Sequence, residues 1–385
     1  LGSYASGNNY MDMSAITPSS MQLNKLKWET TTEYNTGLDA TFLKGKLRFT
    51  VDVYQKYVKD LLQPKVKMPT TIGYGNGYQI SYMNSGKMTN KGWEFRVDAV
   101  PFQNKDWRVG VYFNIAHNEN KITEMPDNYI EENYTFGNGN YAYRREEGRP
   151  MGSFYGYRYK GVYQNKDATY ARDIEGNVMK DISGNAIVMR NGSYTVAPGD
   201  AIYEDVNHDG VINQYDIVYL GNSNPRLTGG AGLNVSYKQF KLSAIFYGRY
   251  GQDVVNATRL NNESMRGIDN QSTAVLRRWR NEGDQTDIPR ALYGEGYNTL
   301  GSDRFVEDAS YLRLKSLSFT YRLPKKAIQR WGFNNIDVYV TGYNLFTWTK
   351  YTGQDPEVKT ENTYARDTAT TPASIQLVAG FNLSF

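Results

Sequence analysis

Cysteine is missing from all 385 residues, histidine occurs only at His117 and His208, and no run of 18 apolar residues exists. The first absence removes disulfide frameworks and thiol chemistry, though not an extracytoplasmic location. The third excludes a transmembrane helix. A membrane-spanning barrel stays open, because its strands meet lipid only at every second residue, so that mean hydropathy, here −0.65, remains low. A dominant charge is also lacking. The 44 Lys and Arg face 40 Asp and Glu, interspersed, for a net charge of +4, which leaves no electrostatic footprint for nucleic acid. Catalytic strings are absent as well: there is no Gly-x-Ser-x-Gly, no His-Glu-x-x-His and no phosphate-cradling Gly-x-x-x-x-Gly-Lys-Ser/Thr. The two histidines lie far apart in sequence, and the Glu131-Glu132 pair has no evident partner, so the chain does not read as an enzyme.

What is abundant points to strands. The chain holds 33 Tyr, 15 Phe, 6 Trp and 36 Gly, a usage that favours pleated surfaces and turns. Segments of about ten residues alternate with period two. Tyr34, Thr36, Leu38, Ala40 and Phe42 share one face against Glu33, Asn35 and Asp39. After the turn 43–46, Leu47, Phe49, Val51 and Val53 oppose Arg48, Thr50 and Asp52. The same pattern predicts strands at 93–99, 107–115, 233–237, 240–246, 317–323, 336–340 and 375–385, and the apolar register of none carries a charge. Leu312 and Leu314 fall out of phase with Leu317, which predicts a β-bulge near Lys315-Ser316.

Connection length separates two all-β architectures. Short links (43–46, 101–106, 238–239, 324–335) alternate with long ones (57–88, 117–228, 250–309, 348–374). Outer-membrane barrels have short periplasmic turns and long extracellular loops, whereas such loops are suspect in a compact soluble domain. Parity holds if 117–228 contributes no membrane strand, its Tyr155, Tyr157, Tyr159 run being an extracellular extension. The final residues Leu377, Ala379, Phe381, Leu383 and Phe385 alternate to the last position, where an unpaired edge would be adhesive unless it closes a barrel. The expectation is a transmembrane antiparallel β-barrel of about nine C-terminal strands. Residues 1–27 are expected to form an extracellular loop segment and 28–385 the barrel portion. Nine is odd and bacterial barrels are even, so the chain is expected to be part of a larger one. The competing reading is a soluble or surface-attached β-rich glycan-binding protein.

Four motifs carry a family resemblance. The stretch Leu26-Lys27-Trp28-Glu29 through Thr36-Gly37-Leu38-Asp39, then Asn90-Lys91-Gly92-Trp93-Glu94, Tyr311-Leu312-Arg313-Leu314-Lys315 and Gly342-Tyr343-Asn344-Leu345-Phe346-Thr347-Trp348 together resemble the SusC-like TonB-dependent transporters in order and spacing. The resemblance implies a 22-stranded barrel in the outer membrane of a Gram-negative bacterium, with an N-terminal plug, a SusD-like lipoprotein lid, energy from the TonB complex, and an oligosaccharide or peptide substrate. The plug and TonB-contacting segment have no counterpart in these residues.

Two groups of candidate site residues lie in the long loops. Asp205, Asn207, Asp209, Asn213 and Asp216 stand at positions 1, 3, 5, 9 and 12 of a short loop, with Gly210 at 6 and the Val211 carbonyl at 7. That spacing wraps a hard cation in oxygens, and Ca2+ as a structural staple of the 117–228 loop is the natural candidate; an ion-free cluster of Asx turns is the alternative. Tyr134, Tyr141, Tyr143 and Trp279 are candidate substrate contacts, since rings and amides suit sugar or peptide capture, with loop packing as the alternative for each.

Overall fold

The computed structural model describes residues 3–6, 16–20, 23–67, 79–84, 86–125, 139–142, 145–361 and 364–385. One nine-stranded antiparallel sheet dominates: β1 (Thr30–Phe42), β2 (Leu47–Lys59), β3 (Lys87–Gln103), β4 (Trp107–Glu124), β5 (Leu227–Tyr237), β6 (Phe240–Tyr250), β7 (Tyr311–Arg322), β8 (Asn335–Thr349) and β9 (Gln376–Ser384). Each strand pairs with its neighbour in sequence, so the sheet is a continuous up-and-down meander. All nine predicted strands are present.

Every short link falls at one end of this sheet. Leu43–Gly45 turns with positive φ at three successive residues. At 104–106 the Asn104 carboxamide accepts from the N–H groups of Asp106 (2.9 Å) and Trp107 (2.8 Å), an Asx turn. Tyr237 pairs directly with Phe240 across 238–239. Between β7 and β8, Pro324 starts the short helix Lys325–Ile328, and Gly332 (φ 77) stops the following turn. The long links lie at the other end.

Two boundaries differ from expectation for identifiable reasons. The proline at 101 does not end β3; the register shifts between Ala99 and Phe102, a bulge that tolerates a residue without an N–H, and the strand continues to Gln103. The strands also run well beyond their alternating cores at the long-loop end, β4 reaching 18 residues, although about 9–11 cross a bilayer. Above the hydrocarbon both faces turn polar, so the period-two signal fades while the hydrogen-bonded ladder continues.

The two faces of the sheet are unlike. Outward residues such as Leu38, Phe113, Phe319, Val340 and Phe381 remain 45–66% exposed, and among the described residues no second sheet packs on them. A single sheet with a bare apolar face is a barrel wall and not half of a sandwich, which removes the soluble alternative. The bulge at Lys315 is present: β7 shifts register against both β6 and β8 between Leu314 and Ser316.

The buried core sits in the loops. No strand of the described residues between 125 and 226 joins the wall. Instead Ser153–Gly156 pairs with Val218–Asn222, and Tyr159–Val162 with Ala201–Tyr203. Tyr155 and Tyr157 from these pieces are fully enclosed with Ala171, Met189, Ile212, Tyr297 and Leu300.

Candidate functional site

The inward register of the wall is polar and largely self-paired. Arg322 forks onto Asp337 (2.8 and 3.0 Å) directly across the β7–β8 ladder. Arg96 forks onto Asp98 (2.7 and 2.8 Å). Thr50 donates to Asp39 (2.5 Å), Ser243 to Asn234 (2.7 Å), and Ser318 meets Thr341 at 2.8 Å. A surface of hydroxyls, amides and neutralised charges offers hydrogen bonds to a polar solute without presenting one net sign.

Three buried ion-pair clusters fix the long loops above this wall. Asp200, with no exposed surface, accepts from Arg290 (2.7 Å), the Tyr194 hydroxyl (2.7 Å), the Ala197 N–H (2.8 Å) and the Asn298 amide (3.3 Å). It thereby joins the loop after β4 to the loop after β6. Glu263, 6% exposed, receives Arg259 (3.0 Å) and Arg304 (2.8 Å). Arg313, 3% exposed on the inner face of β7, reaches Asp355 (2.5 Å) and Glu357 (2.9 Å), drawing the loop after β8 against the wall. Burial works to raise the Asp355 carboxyl, but its hydrogen bond from Arg313 prevails and holds it below the usual carboxylate range. The bulge places Lys315 on the same side as Arg313, where it meets Glu357 at 2.7 Å.

At 205–216 the loop is closed by its own backbone. Asp205 accepts from the N–H groups of Asp209 (3.2 Å) and Gly210 (2.8 Å), Asp209 from Val211 (2.8 Å), and Asn213 from Tyr215 (2.8 Å). Asn207 and Asp209 remain exposed, whereas Asp216 is wholly enclosed and takes the N–H groups of Val206 and Asn213 at 2.8 Å each. Burial pushes the Asp216 carboxyl above its ordinary range. The donor set is hard oxygen throughout, which suits calcium. No group of three or more His, Cys, Asp or Glu among the described residues already forms a ligand cage; closure from position 12 requires Asp216 to exchange its backbone partners for the ion.

Of the four candidate substrate contacts, the two among the described residues, Tyr141 and Trp279, are both buried. Tyr134 and Tyr143 lie outside the described residues. Tyr141 is 7% exposed, donating its hydroxyl to the Ser302 carbonyl (2.7 Å) with its ring edge-on to Phe154. Trp279 is 9% exposed and lies on the backbone of Gly199, where a Cβ would come within 2.2 Å of its ring. Both rings serve loop packing. Tyr293, in contrast, is 78% exposed.

A meandering wall with short links at one end, folded loops at the other and an apolar outer face is the geometry that the family comparison matches. The model described as TonB dependent receptor-like, beta-barrel matches residues 2–345. The chain belongs to this family. It is 32% identical over 346 residues to TonB-dependent receptor P3 of Formosa agariphila, covering 88% of this chain and 32% of that protein. To TonB-dependent receptor SusC of Bacteroides thetaiotaomicron it is 29% identical over 391 residues, covering 99% of this chain and 34% of the other. Among solved structures, the RagAB peptide transporter superposes with a TM-score of 0.70 at 27% identity, covering 100% of this chain and 38% of that one. The chain thus spans about a third of the length of the curated relatives it matches. These relatives are receptors and transporters, not enzymes, and SusC-like members are outer-membrane proteins.

Proposed function

We propose that the complete protein imports an oligosaccharide or a peptide across the outer membrane of a Gram-negative bacterium, under a SusD-like lipoprotein lid and with energy from the TonB complex. The observation that carries this reading is the division of the wall into a bare apolar outer register and a hydrogen-bonding inner one, roofed by loops that Asp200, Glu263 and Arg313 hold in place. Likeness over the whole chain to a structure titled as a peptide transporter supports the peptide arm, and likeness to SusC supports partnership with a lipoprotein of the SusD type. In this scheme the wall is a rigid frame. Its side chains bind and release polar groups of the solute as the plug moves, and no bond is made or broken.

The test compares cells with and without the gene for uptake of labelled peptide and oligosaccharide pools, each with and without a protonophore. Loss of one pool's uptake on deletion, abolished equally by the protonophore, is the expected result. Undiminished uptake of both would refute it.

Calcium in the 205–216 loop is a separate, structural proposal resting on the oxygen spacing of Asp205, Asn207, Asp209, Val211, Asn213 and Asp216. Titration calorimetry of the full-length protein with calcium is expected to lose one binding event in Asp205→Ala. Equal heats in the two proteins would remove the proposal.

A further inference from the structure

The inner lining of the wall is neutralised along most of its height, but one cleft at the long-loop end is not. It encloses about 730 Å³ and is bounded by Arg249 of β6 and, from the loop after β8, by Asp355, Glu357, Lys359, Arg366 and Thr370. Arg249 pairs with Tyr311, two residues from Arg313, so both arginines belong to the inner register. The cleft therefore lies on the lumenal side of the wall.

Its charges do not balance. Both carboxylates are already engaged by cations of β7: Asp355 by Arg313, and Glu357 by Arg313 (2.9 Å) and Lys315 (2.7 Å). The second oxygen of Asp355 takes the Ala373 N–H (2.9 Å). Arg249, Lys359 and Arg366 are left with no carboxylate within ion-pair distance among the described residues. Lys359 and Arg366 are exposed, and water solvates them. Arg249 is half-buried, where a guanidinium without an anion is costly. Its Nε donates to the Tyr247 hydroxyl (3.1 Å), and its two terminal nitrogens have no hydrogen-bond partner among the described residues.

We infer that this cleft binds a carboxylate of the imported solute, with Arg249 as the two-pronged anchor and Lys359 and Arg366 as flanking cations, so that the solute class is anionic. The inference rests on the import reading above and narrows it. A guanidinium presents parallel N–H donors that match the two oxygens of a carboxylate, and the terminal nitrogens of Arg249 are the donors left unused. Thr370 and Thr371 add hydroxyls along the cleft for the uncharged groups of the solute. The volume is far larger than one inorganic ion needs and falls within the range of sites that enclose small organic ligands. An acidic peptide and a uronate sugar present the same group to Arg249.

The test follows uptake of labelled peptide and uronate-containing oligosaccharide pools, each with its carboxylates free or converted to methylamides. Cells carry the full-length protein, the gene deletion, Arg249→Gln or Lys105→Gln, the last in the turn at the opposite end of the sheet. Gene-dependent uptake of one free pool is expected to exceed that of its amidated form by about tenfold. Arg249→Gln should remove most of that preference, whereas Lys105→Gln keeps it. The pool that shows the preference identifies the carrier of the carboxylate. Because the readout is a ratio within one strain, a change in protein abundance does not move it. Heat-modifiable migration on unheated gels confirms that Arg249→Gln is folded; if it is not, Arg366→Gln carries the same comparison. Equal gene-dependent uptake of free and amidated pools, or an undiminished preference in the folded variant, would overturn the inference and leave import standing. Uptake of every pool unchanged by deletion would overturn the import reading and this inference with it.

Discussion

Asp200 is the residue on which the long loops after β4 and β6 converge, and it had no local sign in the sequence. Its partners Arg290 and Asn298 lie 90 and 98 positions away, and an isolated Asp before Ala and Ile reads like any turn residue. Removing it strands Arg290 beside a buried hydroxyl and amide, a loss on the order of 3 kcal/mol for such a pair, less here because Arg290 keeps partial access to water. Asp200→Ala is therefore expected to raise amide exchange in 194–203 and 288–300 together while leaving the strands protected; exchange confined to one segment would show that the two loops are not joined here. Asp216 gives a pH signature. Its folded pKa lies above the ordinary value because of burial, so the folded loop binds the proton more tightly than the unfolded chain. Loop stability should then fall as pH rises from the ordinary carboxylate value, about 4, through the raised one. Calcium reverses the sign, since only the carboxylate is a ligand. Limited proteolysis at 205–216 across that window, with and without calcium, reads both slopes, and parallel slopes would contradict the calcium proposal.

Among elements, the strands were the legible part and the loops were not. Alternation around Leu38, Val51, Phe95, Val111, Leu233, Leu242, Phe319, Val338 and Leu383 marked every wall strand because lipid imposes one simple requirement, that every second side chain be uncharged. The bulge was readable for the same reason: Leu314 and Leu317 cannot share a face without an extra residue between them. Above the bilayer that requirement lapses, so strand ends such as 116–124 gave no signal, and the clamp of Arg313 and Lys315 on Asp355 and Glu357 spans some forty positions without a motif. The bulge itself can be tested. Deleting Lys315 removes the extra residue yet leaves Leu312, Leu314 and Leu317 outward and Arg313 inward, because Leu314, Ser316 and Leu317 then alternate without a break, so that only the contact of Lys315 with Glu357 is lost. The deletion and Lys315→Ala are therefore both expected to retain most of the folded, heat-modifiable form. A sharp loss of that form in the deletion alone would mean that the bulge itself, and not only the side chain it carries, holds this part of the wall.

For the whole molecule, the decisive property is that neighbouring residues of one strand live in different solvents. Val51 faces outward and Thr50 inward, where Thr50 already contacts Asp39. Val51→Arg is expected to cost about 2–4 kcal/mol and to lower membrane-inserted protein, while Thr50→Arg, beside Asp39 and Asp52, leaves insertion near normal. Urea titration in detergent micelles measures both, and equal losses would argue that the outer register does not meet hydrocarbon. For the same reason the full-length protein should need detergent to stay monodisperse.

Since the tight links all close one rim and the extended ones all open the other, the ladder's registry is set entirely from below. Insertions between Lys59 and Lys87, or between Glu124 and Leu227, can lengthen or exchange whole modules without shifting a single strand pairing. A wall of this construction lets the recognition surface diverge quickly while the frame that carries it is inherited unchanged.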